Sequence, residues 1–476
     1  MDSGPAASNH SQMTPADNSA STVISRRNIL KGGAVAAVAG GAATLLGSPA
    51  TALAAQRVAT TSSADTWKGT KFRAYVRHDS TASIEELTLL EPGPRQIVVQ
   101  TRAFQACYTT TTQALGTTPV TVPAVPGHGS SGVVLAVGAM VRRFVPGDKV
   151  IVTITPQCGV CYNCLHGRSD MCQFLNSDAT NGSSNPAFAT MKDGREVTGG
   201  RAGCSELMVA NEEWAVPVFT DVSFLQLSLF SDVGAVGLGM PTTFVPVEPG
   251  SDVVVQGCGP IGLSQVNGAA IMGAGQIIAI DPIKYRRNVA LKLGATTVID
   301  PTGKDTTLVS TIRDMTQGPT DRFFAGGRSH VPDSANPGGF QQVSRGPDFL
   351  YEAVGGDRFP NAPGLGVSPD PNGILPLQQI WDLCPTYGHL VTTSVGQVGN
   401  VSFPAGAWTN RGKTIHSAQY GGVDAMKDLP RFVRLIERGL YKADKIATDT
   451  WDLNHAVDAF RAAANRSVVS AHVIFK

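Results

Sequence analysis

Val253-Val254-Val255-Gln256-Gly257-Cys258-Gly259-Pro260-Ile261-Gly262 runs from a β-branched buried-strand pattern into G-x-G-x-x-G, and a small-residue helix through Ala270 follows. Gly257 permits the tight turn, Gly259 lets backbone approach a pyrophosphate, and Gly262 allows close helix–strand packing, while the helix N-terminus attracts an anion. Gly257, Gly259, Pro260, Ile261 and Gly262 are therefore the candidate cofactor contacts. Alone the pattern is weak. Here the next strand, 276–281, ends in Asp281, nineteen residues after Gly262, where a carboxylate can bond both ribose hydroxyls. An acid at 281 favours NAD, because it repels a 2′-phosphate. Arg286 and Arg287 stand nearby and could serve NADP; Arg286 is expected along the adenosine ribose.

Outward from this motif, 287–293 reads as a helix and 297–300 as a third strand, with later strands at 349–353 and 389–393. Alternation at this pitch implies right-handed βαβ units and a doubly wound parallel sheet of Rossmann type. Towards the N-terminus the texture is different. Short β-branched runs (72–76, 96–104, 132–138, 149–154) are broken by Gly and Pro, which points to an all-β lobe of barrel type. Amphipathic helices at 429–438 and 456–464 and a closing strand at 468–475 finish the chain. The fold class is α/β with two domains. A Gly/Pro-rich stretch, 317–347, is long for a loop between such elements; it is either a cover over the adenine side of a bound cofactor or a surface insertion without a role.

Cys158, Cys161, Cys164 and Cys172 lie in CGVCYNCLHGRSDMC, so half of the chain's 8 cysteines fall within one loop too poor in apolar residues to bury itself. Four thiolates at this spacing can fill all positions of a tetrahedral zinc, the arrangement of a structural site. Two disulfides are the alternative for an exported chain. Three thiols only two residues apart are poor disulfide partners and good metal ligands. The other cysteines, Cys204, Cys258 and Cys384, have no clear partner, and Cys258 reads as a small residue tolerated by packing.

At 476 residues the chain can hold two or three domains with real cores. Its formal charge of +1 gives no reason to expect a nucleic-acid or anionic-membrane partner. The first 54 or so residues are expected to be a targeting segment. Ser25-Arg26-Arg27-Asn28-Ile29-Leu30-Lys31 resembles a twin-arginine export signal, an apolar Gly/Ala-rich stretch follows, and Ala52-Leu53-Ala54 offers cleavage after Ala54. The apolar stretch is short of the ~20 residues a membrane span needs, so no stable span is expected. The chain is expected to be periplasmic or extracellular.

In this order, a β-rich domain with a cysteine lobe and a Rossmann unit resemble the zinc-containing medium-chain alcohol dehydrogenases. The resemblance covers about 70–476 and is most specific in VPGHGSSGVVLAVGAMVRRFVPGDKVIVTITPQCGVCYNCLHGRSDMC and RAGCSELMVANEEWAVPV. It implies a GroES-like barrel domain at 71–232 carrying the structural lobe 158–172, an NAD-binding Rossmann domain at 233–420, and a segment 421–476 that completes the barrel domain, with 55–70 as a mobile linker. It further implies a catalytic zinc on Cys107 and His128, with Asp232 as third ligand, as in the formaldehyde-dehydrogenase-like branch. Thr109 matches the hydroxyl that relays the alcohol's proton. Two zinc ions per chain, NAD, a small alcohol or aldehyde substrate and a homo-oligomer are expected. Singly, Cys107 reads as a small core residue, His128 as a turn histidine and Asp232 as a helix cap; together and in order they read as a metal site. Three departures stand against the family pattern: Gly129 where a glutamate usually follows the histidine, Thr110 where an acid is often found, and Val236 where a threonine is common. They favour a rival, a non-catalytic NAD-binding or sensing protein that keeps the fold and the structural zinc. A zinc-free reductase is a third reading, disfavoured by the same three ligands.

Overall fold

A computed structural model describes residues 64–174, 187–199, 203–304, 306–316, 346–355, 374–393 and 411–476, with 402, 403, 406 and 409 between them. The export signal and almost all of 317–347 lie outside the described residues.

The valine run forms β10 (Asp252–Gln256), whose Val253, Val254 and Val255 are fully buried at the centre of a parallel sheet. β11 (Gln276–Ile280) and β12 (Thr297–Ile299) lie to one side of it. β13 (Phe349–Glu352), β14 (His389–Thr392) and β15 (Thr414–Ser417) lie to the other, giving the order β12-β11-β10-β13-β14-β15. The order reverses between β10 and β13, and the crevice at the carboxyl ends of these two strands is where such sheets bind ligands. Helices α4 (Pro260–Ile271) and α5 (Lys284–Leu293) follow β10 and β11.

The barrel domain is built on β3 (Gln96–Ala106), which pairs antiparallel with β4 (Ser130–Val137) and with β8 (Leu207–Asn211). β5 (Lys149–Val152) and β9 (Ala215–Pro217) extend the sheet beyond β4. From the far end of the chain, β17 (Ala471–Ile474) pairs antiparallel with β3, placing Ala471 opposite Ala106, and β16 (Asp449–Trp451) flanks it. The C-terminal segment thus completes the N-terminal sheet.

The structure corrects several element boundaries. Ala64–Trp67 forms a 3-10 turn whose Trp67 packs against the barrel core, and Gly69 donates to the Leu89 carbonyl at 2.9 Å, so the expected linker 55–70 ends in ordered chain. Ala82–Leu89 is a strand antiparallel to Lys71–Arg77 that the sequence did not announce, because Glu85 and Glu86 break its apolar alternation; Glu86 instead meets Lys71 at 2.8 Å across the pair. β15 was missed because an edge strand with half-exposed residues lacks the apolar run of its neighbours. The helix expected at 429–438 spans Ala425–Glu437: Asp424 caps it through Lys427 N–H and Asp428 accepts from Asp424 N–H, a polar start that hides the first turn.

Candidate metal and cofactor sites

Cys107 sits where β3 ends and α1 (Tyr108–Ala114) begins, with its side chain left uncapping. His128 is held between Gly127 and Gly129, whose φ of 143° and 111° only glycine adopts readily. Asp232 precedes α3 (Val233–Gly239), yet its carboxylate makes no capping bond to that helix. It turns instead to His128, with Oδ2 3.3 Å from Nε2. Cys107 Sγ stands 3.1 Å from the same Nε2. The donor atoms of the three residues all lie within 4.8 Å of one another. Burial works to lower the His128 pKa, but the Cys107 thiol and the Asp232 carboxylate outweigh it and raise it well above the ordinary imidazole value. The cage is one that attracts positive charge. A thiolate, an imidazole and a carboxylate at such separations suit a zinc with an open fourth position. Thr109 Oγ1 lies at the same point, 2.7 Å from Cys107 Sγ and 3.3 Å from His128 Nε2.

Of the three departures, Gly129 has a local physical reason. A Cβ at Gly129 would lie 2.7 Å from Ser231 Oγ, next to Asp232, and the left-handed φ of 111° itself strains any side chain there. Thr110 is buried, and its hydroxyl finds no partner among the described residues. Val236 is buried in α3 where Gly421 packs against its backbone.

The second group is the lobe. Cys158, Cys161, Cys164 and Cys172 bring their sulfurs within 4.8 Å of one another. All four are free thiols, and the Cys158–Cys164 and Cys161–Cys172 contacts of 3.9 Å are far from a bonded pair, which answers the disulfide alternative. Backbone N–H groups of Val160 and Cys161 point at Cys158 Sγ, and those of Cys164 and Gln173 at Cys161 Sγ. Burial opposes ionisation of Cys161, but the Gln173 and Cys164 N–H groups bring its thiol down to about 6, whereas burial pushes Cys172 up. Val160, Tyr162 and Leu165 stay exposed, so no apolar core holds the lobe and a shared cation suits it.

In the cofactor loop, Gly257 has φ 93° and its added Cβ would meet Ala353 backbone at 2.9 Å, just beyond the paired ends of β10 and β13. Gly262 would place a Cβ 1.8 Å from the Gly257 carbonyl oxygen. A Cβ at Gly259 would meet nothing within 4 Å: the space over it is open, a cradle of the kind a pyrophosphate requires. Pro260 and Ile261 open α4 beside it. Asp281 is buried at the end of β11, accepting Cys258 N–H at 2.8 Å and Ile283 N–H at 2.7 Å. Burial raises its pKa, against the charges of Arg286 and Arg287 and those two bonds.

Arg286 donates to the Tyr285 hydroxyl and, at 3.1 Å, to the Val468 carbonyl, while its charge still acts on Asp281. Arg287 donates to the Asp281 carbonyl at 2.6 Å and pairs with Asp300 at 2.9 Å, so its charge is also engaged. Glu352 was missed. It is buried at the end of β13, and its carboxylate accepts from Val354 and Gly355 N–H and from Thr392, fixing the turn that borders Gly257. An acid within an otherwise apolar strand, Tyr351-Glu352-Ala353, was the available signal.

A Rossmann sheet joined to a GroES-like barrel, with a Cys–His–Asp trio and a four-cysteine lobe, is the architecture of zinc-type medium-chain dehydrogenases. Residues 93–220 match the family described as alcohol dehydrogenase GroES-like domain, and 260–438 match the zinc-binding dehydrogenase family. The S-(hydroxymethyl)glutathione dehydrogenase of Saccharomyces cerevisiae is 31% identical over 280 residues, 55% of this chain and 71% of that protein. The alcohol dehydrogenase class-3 of Myxine glutinosa is 30% identical over 255 residues, 51% of this chain and 65% of that protein, so the match spans just under two thirds of this relative's length. The benzyl alcohol dehydrogenase of Acinetobacter calcoaceticus superposes with a TM-score of 0.68 at 23% identity, covering 86% of this chain and 100% of that one, and it shares the fold. The chain belongs to the zinc-containing alcohol dehydrogenase family, a family of enzymes.

Proposed function

We propose that this chain is an NAD-linked, zinc-dependent oxidoreductase interconverting an alcohol, or a hydrated aldehyde, with its carbonyl product. The observation that carries this reading is the meeting of Cys107, His128 and Asp232 within 4.8 Å. A zinc held by these three supplies a Lewis acid to the substrate oxygen, and a dinucleotide on the Gly257–Gly262 loop supplies the redox partner. Thr109, in contact with both Cys107 and His128, would pass on the proton that an alcohol loses. Asp281 would orient the ribose, and the Cys158–Cys172 lobe would hold the second zinc as a structural clamp.

The rival non-catalytic reading leans on Gly129, Thr110 and Val236. Gly129 loses its force, since its left-handed φ and the Ser231 hydroxyl favour glycine there while the trio stays intact. The test is zinc content, bound nucleotide and alcohol oxidation measured on one purified preparation. Two zinc ions and NAD-linked turnover are expected; one zinc with nucleotide bound and no turnover would establish the rival.

The export reading rests on Arg26 and Arg27 and on the cleavage site after Ala54. Among the described residues no helix is long and apolar enough to cross a membrane. Free NAD should be scarce outside the cytoplasm, so an exported dehydrogenase would hold its cofactor through many turnovers or pass electrons to a partner. Extensive dialysis followed by nicotinamide absorbance tests retention; apo-protein that turns over only with added NAD would refute it. Cell fractionation tests the location. The edge of the parallel sheet at β15, unpaired among the described residues, supports a homo-oligomer, to be checked by light scattering.

A further inference from the structure

Tyr285 and Arg286 lie in the first turn of α5, just after the ribose acid Asp281, and both reach out of the cofactor domain. The Tyr285 hydroxyl donates to the Arg466 carbonyl at 2.6 Å. Arg286 Nη2 donates to the Val468 carbonyl at 3.1 Å, and its Nε donates to the Tyr285 hydroxyl at 3.1 Å, so the two side chains act as one unit. The accepting carbonyls belong to the turn between α9 (Ala456–Ala464) and β17, the strand that runs beside the end of β3 and so beside Cys107. Arg466 has a left-handed φ of 56°, a conformation uncommon for any side chain but glycine. Its guanidinium donates to the Tyr108 hydroxyl at 3.1 Å and lies 5.7 Å above that ring. Tyr108 follows Cys107 directly. Contacts therefore run without a break from the nucleotide side of the cleft to the metal trio: Tyr285 and Arg286, then Arg466, then Tyr108.

An arginine that served only to read a ribose or a 2′-phosphate would have no need of the opposite domain; Arg286 gives Nη2 to the Val468 carbonyl there and Nε to its neighbour Tyr285, which reaches the same turn. We infer that Tyr285 and Arg286 are positioning residues, a clasp that fixes the Asp281 turn to the 466–468 turn and slows the departure of bound dinucleotide. The inference rests on the proposed function. It also offers a physical basis for retention within the described residues, independent of the insertion 317–347.

The experiment is NADH release followed by stopped-flow fluorescence on the full mature protein, for wild type, Tyr285→Phe, Arg286→Ala and the double variant. Each single change should speed release by roughly tenfold, the effect of losing a well-made bond or a charged donor. The double variant should fall short of the product, because the bonds are shared. The KM for NAD should rise without a fall in kcat. A purely structural contact would lower the melting temperature and leave release unchanged, and that result overturns the clasp. Wild type that binds no NADH overturns both the clasp and the proposed function, whereas NADH binding with unaltered release in the variants overturns the clasp alone. If Arg286→Ala does not fold, Tyr285→Phe decides, since it keeps the ring and removes one hydroxyl.

Discussion

Two glycines of one loop should respond in opposite ways to the same added methyl group. Gly262 lies in the first turn of α4, where a Cβ would stand 1.8 Å from the Gly257 carbonyl oxygen and 3.3 Å from Val255 Cγ1. Backbone must move, so Gly262→Ala should cost about 3 kcal/mol, the upper end for overpacking, and the ~1 kcal/mol that alanine gains in a helix does not offset it. Gly259 has φ −71° and ψ −177°, which any residue adopts, and open space where its Cβ would go. Gly259→Ala should therefore leave stability unchanged or raise it by about 0.5 kcal/mol through the unfolded chain. That methyl fills the space a pyrophosphate needs, so NADH affinity should fall at least tenfold, about 1.4 kcal/mol. Urea unfolding and NADH fluorescence titration read the two effects separately. Undiminished NADH binding by Gly259→Ala would show that the open space is not the phosphate cradle, and equal destabilisation by both changes would refute the packing argument.

Cys107→Ala should leave a folded, inactive protein holding about one zinc rather than two, as elemental analysis would show; a full complement of zinc would remove Cys107 from the ligand set. Cys161→Ala should instead lower the thermal midpoint and open 158–172 to proteolysis, because structural zinc contributes folding energy outright. Asp281→Ala should narrow the preference for NAD over NADP; wild type that binds NADP more tightly would contradict the assignment. His472 is fully buried, its Nδ1 3.0 Å from Ser228 Oγ and its Nε2 2.8 Å from Ser470 Oγ. Burial lowers its pKa from 6.5 to about 3. Between those values the unfolded chain binds a proton that the native state refuses. Stability should fall with falling pH by about 1.4 kcal/mol per unit in that window. His472→Gln should show a shallower acid slope in urea melts, and an unchanged slope would refute the burial account.

Where burial alone decided the outcome, the fold could be read from the chain. Val253–Val255, Ile277–Ile280 and Phe349–Tyr351 are apolar because both faces of a parallel sheet are covered, and each forms a strand within a residue or two of its expected ends. Ala82–Leu89 and Thr414–Ser417 escaped because their pairing is specified by partner strands rather than by their own periodicity. The same limit explains Arg286. Its position after Asp281 suggests a ribose contact, but nothing local encodes its bond to a carbonyl 182 residues away.

The metal trio shows how a departure from a family pattern can be a packing consequence. Without the structure, Gly129 in place of a glutamate counts as a lost charge and weakens the case for catalysis. In the fold, Gly129, Ser231 and Asp232 meet in one small volume, and Ser231 donates to the Ser228 carbonyl, fixing the turn that aims the Asp232 carboxylate at His128. A side chain at 129 would push this turn away and take the third ligand with it. Glycine at 129 and aspartate at 232 are thus one arrangement. Replacing Gly129 with glutamate should therefore displace Asp232 rather than restore an acid, and a Gly129→Glu variant that kept its full catalytic zinc would show this coupling to be wrong.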